Sequence, residues 1–183
     1  AEYVGLWLVS RGGWEVDFYL NVLSGDSSTS TEPEQPTTPA IPAGSAVAAP
    51  TNDKLTMDGV LQNPTVLKLD GGDNYFKIRD LAAMLNGTGK QFSVGYDGSV
   101  QVTTGQPYTP MGGELAGPAT ATEIAEPSND AIYINGERAN LTAFKVGGNN
   151  FFRLRDLGKA LDFYVGWTAE RGVFIETDKP YGD

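Results

Sequence analysis

Residues 73–81 of the chain read DNYFKIRDL, and residues 149–157 read NNFFRLRDL. Each segment leads into a Val-Gly-aromatic step, at 94–96 and 165–167, and then into a Pro-Tyr step, at 107–108 and 180–181. The first copy carries extra residues around 87–91. Self-similarity over several dozen residues is typical of modules that bind or space more often than they catalyse. The sequence therefore predicts two tandem repeats, at 52–110 and 129–183, joined by an inter-repeat connector at 111–128.

Each copy is predicted to be a small antiparallel sheet with one short helix, in the order β-β-β-α-β-β. Asp58-Gly59 and Asn135-Gly136 are strong signals for an opening hairpin turn. Apolar residues at helical spacing, at 78–85 and 154–161, predict an amphipathic helix after each motif. A helix on one face of an antiparallel sheet gives the α+β class.

The composition excludes several classes of function. The 183 residues include no cysteine and no histidine, so thiolate and imidazole metal sites are absent, and we predict neither a metal nor a cofactor. The net charge is −10, and no run of Lys or Arg offers a basic face for phosphates, so we expect no nucleic-acid partner.

Nothing in the chain is long and apolar enough to predict a membrane span, which needs about 18 or more consecutive apolar residues. The chain begins at Ala1 without a charged region followed by an apolar one, which is the pattern of a signal peptide. We therefore expect a mature or trimmed product that belongs to a larger polypeptide.

Residues 24–51 consist mainly of Ser, Thr, Pro, Ala, Gly and acids, a composition that predicts a disordered, extended linker. Residues 1–23 read as two apolar strands around Gly12-Gly13, which predicts a β-hairpin. An isolated hairpin is not stable in water. We interpret this one as the end of an upstream domain, or alternatively as a strand donated to the sheet edge of a neighbouring molecule.

The motif Phe-Lys/Arg-Ile/Leu-Arg-Asp-Leu, followed by Val-Gly-Tyr/Trp and Pro-Tyr, resembles the copper amine oxidase N-terminal domain-like module. This module, also called the stalk domain, occurs in tandem on secreted and cell-surface proteins of Gram-positive bacteria. The resemblance covers about 55–110 and 130–181 and does not extend to 1–50. It implies a surface-exposed, non-catalytic accessory module. The copper site of the oxidases needs histidine ligands, which this chain lacks.

Aromatic residues at matched positions are the candidate ligand-binding residues: Tyr96, Trp167, Tyr108 and Tyr181. Exposed aromatics stack on sugar rings or anchor protein partners. The competing interpretation, which we favour for Tyr96 and Trp167, is that they fill the core between helix and hairpin. For Tyr108 and Tyr181 both interpretations stay open.

The pairs Arg79-Asp80 and Arg155-Asp156 could form a bidentate anion site. We favour a structural role, in which the aspartates stabilise the positive end of each helix dipole and the arginines bridge to the sheet. No pair of carboxylates is specified for catalysis, so we predict that the chain is not an enzyme.

We expect a secreted or cell-surface accessory module that spaces or attaches an upstream domain. Two alternatives remain open. One is a module that binds a glycan or cell-wall polymer, and the other is a self-assembling surface subunit that uses the N-terminal strand. The expected partner is accordingly a cell-wall polysaccharide or a surface protein.

Overall fold

Six strands drawn from both halves of the chain close into a barrel in the computed structural model, which describes residues 42–182. The first half contains β1 (Ala46–Pro50), β2 (Leu55–Met57), β3 (Val60–Gln62), β4 (Val66–Leu69), β5 (Asn74–Lys77), α1 (Ile78–Leu85), β6 (Phe92–Tyr96) and β7 (Val100–Thr104). The second half contains β8 (Glu123–Pro127), β9 (Ile132–Ile134), β10 (Glu137–Arg138), β11 (Ala143–Val146), β12 (Asn149–Arg153), α2 (Leu154–Leu161), β13 (Tyr164–Thr168) and β14 (Gly172–Glu176).

The barrel order is β1-β4-β5-β12-β11-β8, with β1 and β8 closing the ring. All six strands contribute to one apolar cluster, which therefore fills the barrel interior. Ala48 and Ala125 are fully buried in this cluster. A six-stranded barrel is narrow, so small side chains fit where β1 and β8 meet.

The predicted α+β class is wrong, because strands make up 41% of the described residues and helices only 11%. The predicted β-β-β-α-β-β order is also wrong, since each half has five strands before its helix and two after it. The predicted second strand of each copy divides in two at residues 63–65 and 139–142. In the first half, Pro64 lies in this break, and proline cannot donate a hydrogen bond to a strand ladder.

The remaining difference in strand number comes from β1 and β8. β1 falls in the predicted linker and β8 in the predicted connector, because Ala-rich and acidic segments resemble disordered chain. Their small residues are instead what the narrow barrel accepts. The hairpin predicted at 1–23 and most of the 24–51 linker lie outside the described residues.

The two halves exchange their hairpins. β7 of the first half pairs in parallel with β9 of the second, with Val100 opposite Ile132. β14 of the second half pairs in parallel with β2 of the first, with Val173 opposite Leu55. The result is two four-stranded sheets, β10-β9-β7-β6 and β13-β14-β2-β3, each built from both halves.

Both helices pack into one shared core. Leu81 of α1 and Leu157 of α2 belong to the same apolar cluster, together with Phe76 and Phe152 on the outer side of the barrel. The predicted apolar stripes are confirmed, since Ile78, Leu81 and Leu85 are buried on α1, and Leu154, Leu157 and Leu161 on α2.

The predicted opening turns are present. Asp58 and Gly59 have φ of 49° and 80°, and Asn135 and Gly136 have φ of 53° and 82°. Two successive positive φ values are what a type I′ hairpin turn requires, and Asn-Gly and Asp-Gly supply them at low cost.

Candidate binding surface

Trp167 and Tyr96 lie on the surface, with exposures of 62% and 56%. The interpretation that they fill the core is therefore wrong. Alternation along β13 puts Val165 and Trp167 on the same face of the strand. Val165 packs against the shared core, whereas Trp167 lies two residues further along, beyond it.

Trp167 borders a groove with a volume of about 170 Å³. The groove lies between the β4–β5 turn, the start of α2 and the β13–β14 hairpin. Its lining residues are Gly72, Asp73, Asn74, Phe76, Arg153, Leu154, Arg155, Val165, Gly166, Trp167 and Val173. An indole beside arginine and amide groups is suited to a ligand with both apolar and polar faces.

Arg153 organises the polar wall of this groove. Its Nε and Nη2 atoms donate to the two carboxylate oxygens of Asp156 at 3.0 Å each, and Nη1 donates to Asp73 at 3.1 Å. The hydrogen bonds to Asp156, and then that to Asp73, raise the pKa of Arg153 above its ordinary value. Arg153 is not among the site residues predicted from the sequence, although an Arg three residues before an Asp at a helix start is a usable signal.

The two Arg-Asp pairs occupy different environments. Asp80 and Asp156 both lie in the first turn of their helices, as predicted. Asp80 is fully buried and accepts hydrogen bonds from the backbone N–H groups of Thr65 at 2.7 Å and Leu115 at 3.2 Å. Asp156 is partly exposed and pairs with Arg153.

Neither Arg79 nor Arg155 bridges to the sheet. Arg79 Nη1 lies 2.7 Å from Met111 Sδ of the connector. Arg155 is exposed, and its guanidinium forms no hydrogen bond or ion pair within residues 42–182.

Tyr108 and Tyr181 dock in the same way but differ in exposure. The Tyr108 N–H donates to Asn86 Oδ1, and the Tyr181 N–H donates to Asp162 Oδ1, both at 3.0 Å. Tyr108 is only 3% exposed, which excludes it as a surface ligand residue, whereas Tyr181 is 36% exposed.

The connector explains the burial of Tyr108. The Tyr108 hydroxyl donates to Glu114 Oε1 at 2.6 Å. The Glu114 carboxylate also accepts from the N–H groups of Met111 and Gly112. Burial, followed by this hydrogen bond, raises the pKa of Tyr108 to about 12. The same hydrogen bond lowers the pKa of Glu114 to about 2.

Within the described part of the chain, no three His, Cys, Asp or Glu residues cluster as metal ligands. Neither of the two helices described has the length and apolar character needed to cross a membrane. No protein-family model, curated protein or solved structure matches this chain. The resemblance to the stalk module therefore stays a prediction.

Proposed function

We propose that this chain is a non-catalytic accessory module at the cell surface, which spaces or attaches another domain. The observation that carries this proposal is the way in which both end strands are held. β1 lies between β4 and β8, and β14 lies between β13 and β2. Neither is an edge strand, so tension applied across residues 42–182 acts at each end on a strand with two partners.

The pairing of β2 with β14 also suits a spacer. Val173, Phe174 and Ile175 pair in parallel with Leu55, Thr56 and Met57. Because the strands are parallel, tension that reaches the N-terminal side of β2 through β1, and the C-terminal side of β14 directly, loads the pair in shear. Several hydrogen bonds then break together rather than one at a time.

Asp58 extends this pairing beyond the strands. Its carboxylate accepts from the Thr177 N–H at 2.9 Å and from the Thr177 hydroxyl at 2.7 Å. In the other four-stranded sheet, Asn135 Oδ1 likewise accepts from the Thr104 N–H, at 3.0 Å. Asp58 and Asn135 both have positive φ, so alanine is strained equally at the two positions.

Single-molecule force spectroscopy tests the proposal. We expect a resistant unfolding event, and we expect Asp58→Ala to lower its force more than Asn135→Ala, because only Asp58 secures the strand pair next to the C-terminal end. Unfolding at a force too low to resolve, or an equal effect of the two variants, would contradict the spacer role.

A second candidate function is favoured by the exposure of Trp167 beside the groove. A module that binds a glycan or cell-wall polymer would stack a sugar ring on this indole. Co-sedimentation with purified Gram-positive cell walls tests it, with Trp167→Ala as the variant and Tyr96→Ala as the matched control in the first half. Loss of sedimentation with Trp167→Ala alone supports binding in the groove, and no sedimentation of the unmodified chain rules it out.

Self-assembly through the N-terminal strand depends on residues outside 42–182 and stays a prediction. It requires oligomers that form with rising concentration and vanish when residues 1–23 are deleted, which ultracentrifugation measures directly.

A further inference from the structure

The first half carries a bound peptide segment of its own. Residues Met111–Leu115 of the connector lie across the start of α1. Gly113 O accepts from Lys77 Nζ at 2.8 Å, and the Leu115 N–H donates to Asp80 Oδ1 at 3.2 Å. Between these two contacts, the Glu114 carboxylate accepts from the Tyr108 hydroxyl. This segment is a turn, with positive φ at Gly112, Gly113 and Leu115, and it is held at a carbonyl, an N–H and a carboxylate.

The second half presents the equivalent residues without such a segment. Lys77, Arg79, Asp80 and Tyr108 align with Arg153, Arg155, Asp156 and Tyr181. Among the described residues, Arg153 is bonded to Asp156 and to Asp73 of the β4–β5 turn, but no segment equivalent to Met111–Leu115 lies across the four. Arg155 is exposed, and no hydrogen bond to the Tyr181 hydroxyl occurs among the described residues.

Arg155 and Tyr181 lie on the same side of α2. A Cβ atom added at Gly158 would come within 3.3 Å of Tyr181 Cδ2, so the Tyr181 ring packs on Gly158. Arg155 precedes Gly158 by three residues, and residues three apart share a helix face. The Trp167 groove begins at the same place, because Arg153 and Arg155 also line it.

We propose that the face formed by Arg153, Arg155, Asp156 and Tyr181 binds a carboxylate-bearing peptide turn of a partner protein. The partner carboxylate accepts from the Tyr181 hydroxyl and from the guanidinium of Arg155. A neighbouring carbonyl accepts from Arg153, as Gly113 accepts from Lys77. An apolar side chain of the partner enters the groove beside Trp167. This site does not depend on the spacer role.

The connector itself supplies the probe. A capped peptide with the sequence of residues 109–116, TPMGGELA, is titrated into the isotope-labelled full chain, and chemical shifts are followed by NMR. We expect shifts at Arg155, Tyr181 and the Trp167 indole. The first half stays unperturbed, because its own tethered segment competes at a high effective concentration.

Three changes test the contacts. Replacing the glutamate of the peptide by glutamine should weaken binding about tenfold, since a charged hydrogen-bond acceptor is lost. Arg155→Gln and Tyr181→Phe should each weaken binding of the original peptide by a similar factor. Arg138→Gln is the matched control, because Arg138 is an exposed arginine on β10 in the other four-stranded sheet.

The proposal is overturned if a few millimolar peptide causes no shifts at these residues, or if the glutamine peptide or Arg155→Gln binds as well as the originals. It is also overturned if a neutral wall oligosaccharide shifts the same resonances and the peptide does not, which would make this a glycan site. Thermal melting of each variant confirms that the fold is kept.

Discussion

Two glycines at matched positions show how different the halves are at the level of single residues. A Cβ atom at Gly166 would overlap the Phe174 ring and lie 2.9 Å from Tyr164 Cε1. At Gly95, the nearest atom to an added Cβ is Gln101 Cβ, at 3.9 Å, which is an ordinary contact. The same Val-Gly-aromatic step therefore needs its glycine in the second half and tolerates a larger residue in the first.

We predict that Gly166→Ala lowers the free energy of unfolding by about 1 to 3 kcal/mol, as expected for an overpacked site. Gly95→Ala should change it by no more than about 0.5 to 1 kcal/mol, with stabilisation the expected direction because glycine disfavours strands. Urea unfolding curves of the two variants measure both values. Equal destabilisation by the two substitutions would contradict the packing argument.

The two aspartates of the repeated motif also differ between the halves, because Asp80 is fully buried and Asp156 is partly exposed. Removing Asp80 leaves the N–H groups of Thr65 and Leu115 without an acceptor, and it removes the carboxylate that lies 3.6 Å from Lys77 Nζ. We predict that Asp80→Ala costs roughly 2 to 5 kcal/mol of stability. Asp156→Ala removes a partly exposed ion pair and should cost about 1 kcal/mol or less. Chemical denaturation measures the stability of both variants. A larger loss of stability with Asp156→Ala than with Asp80→Ala would show that burial does not determine the contribution of these aspartates.

At the scale of elements, the connector segment Met111–Leu115 is fixed by the Glu114 carboxylate. The folded pKa of Glu114, about 2, is depressed below its ordinary 4.5. Its contribution to stability is therefore fully present above pH 4.5 and is lost as the pH falls from 4.5 towards about 2.

We predict that Glu114→Gln is less stable than the unmodified chain by about 1 kcal/mol at pH 7, after allowing for the exposure of the carboxylate. The difference should shrink towards zero near pH 2. Unfolding curves recorded across this range test the sign, with the exposed Glu137→Gln as the control. A difference that stays constant with pH would mean that Glu114 acts through something other than its charge.

Some elements could be predicted from the sequence because their signals are local. The Asp58-Gly59 and Asn135-Gly136 turns, the helix stripes and the hairpins after each helix all follow from patterns within a few residues. The exposure of Trp167 could not be predicted, because it depends on where the core ends rather than on the strand pattern. β1 could not be predicted, because its alanines are only weakly apolar. They identify a strand only once it is known that they face a narrow barrel interior, which no local pattern reveals.

At the scale of the whole molecule, the hairpin exchange makes the two halves one structure. The sequence does not reveal this exchange. The apolar patterns of β7 and β14 would be the same whether each strand paired with the opening hairpin of its own half or of the other half. The predicted picture of two separate small sheets therefore missed the main organising feature. The open peptide-binding face on α2 could not be found from the sequence for the same reason, because it emerges only when both halves are compared in space.

We predict that residues 42–182 unfold in a single cooperative transition. Leu81→Ala and Leu157→Ala remove fully buried side chains from one shared core, and each should lower the stability of the entire unit by about 2 to 5 kcal/mol. Differential scanning calorimetry of both variants measures this. Two separate transitions, of which each substitution shifts only one, would show that the halves fold independently.

The exchanged hairpins also limit how such a gene can change. If one half were deleted, β2 or β9 would lose its parallel neighbour, and the barrel would lose three of its six strands. A half on its own would therefore need a second polypeptide to supply the missing strands.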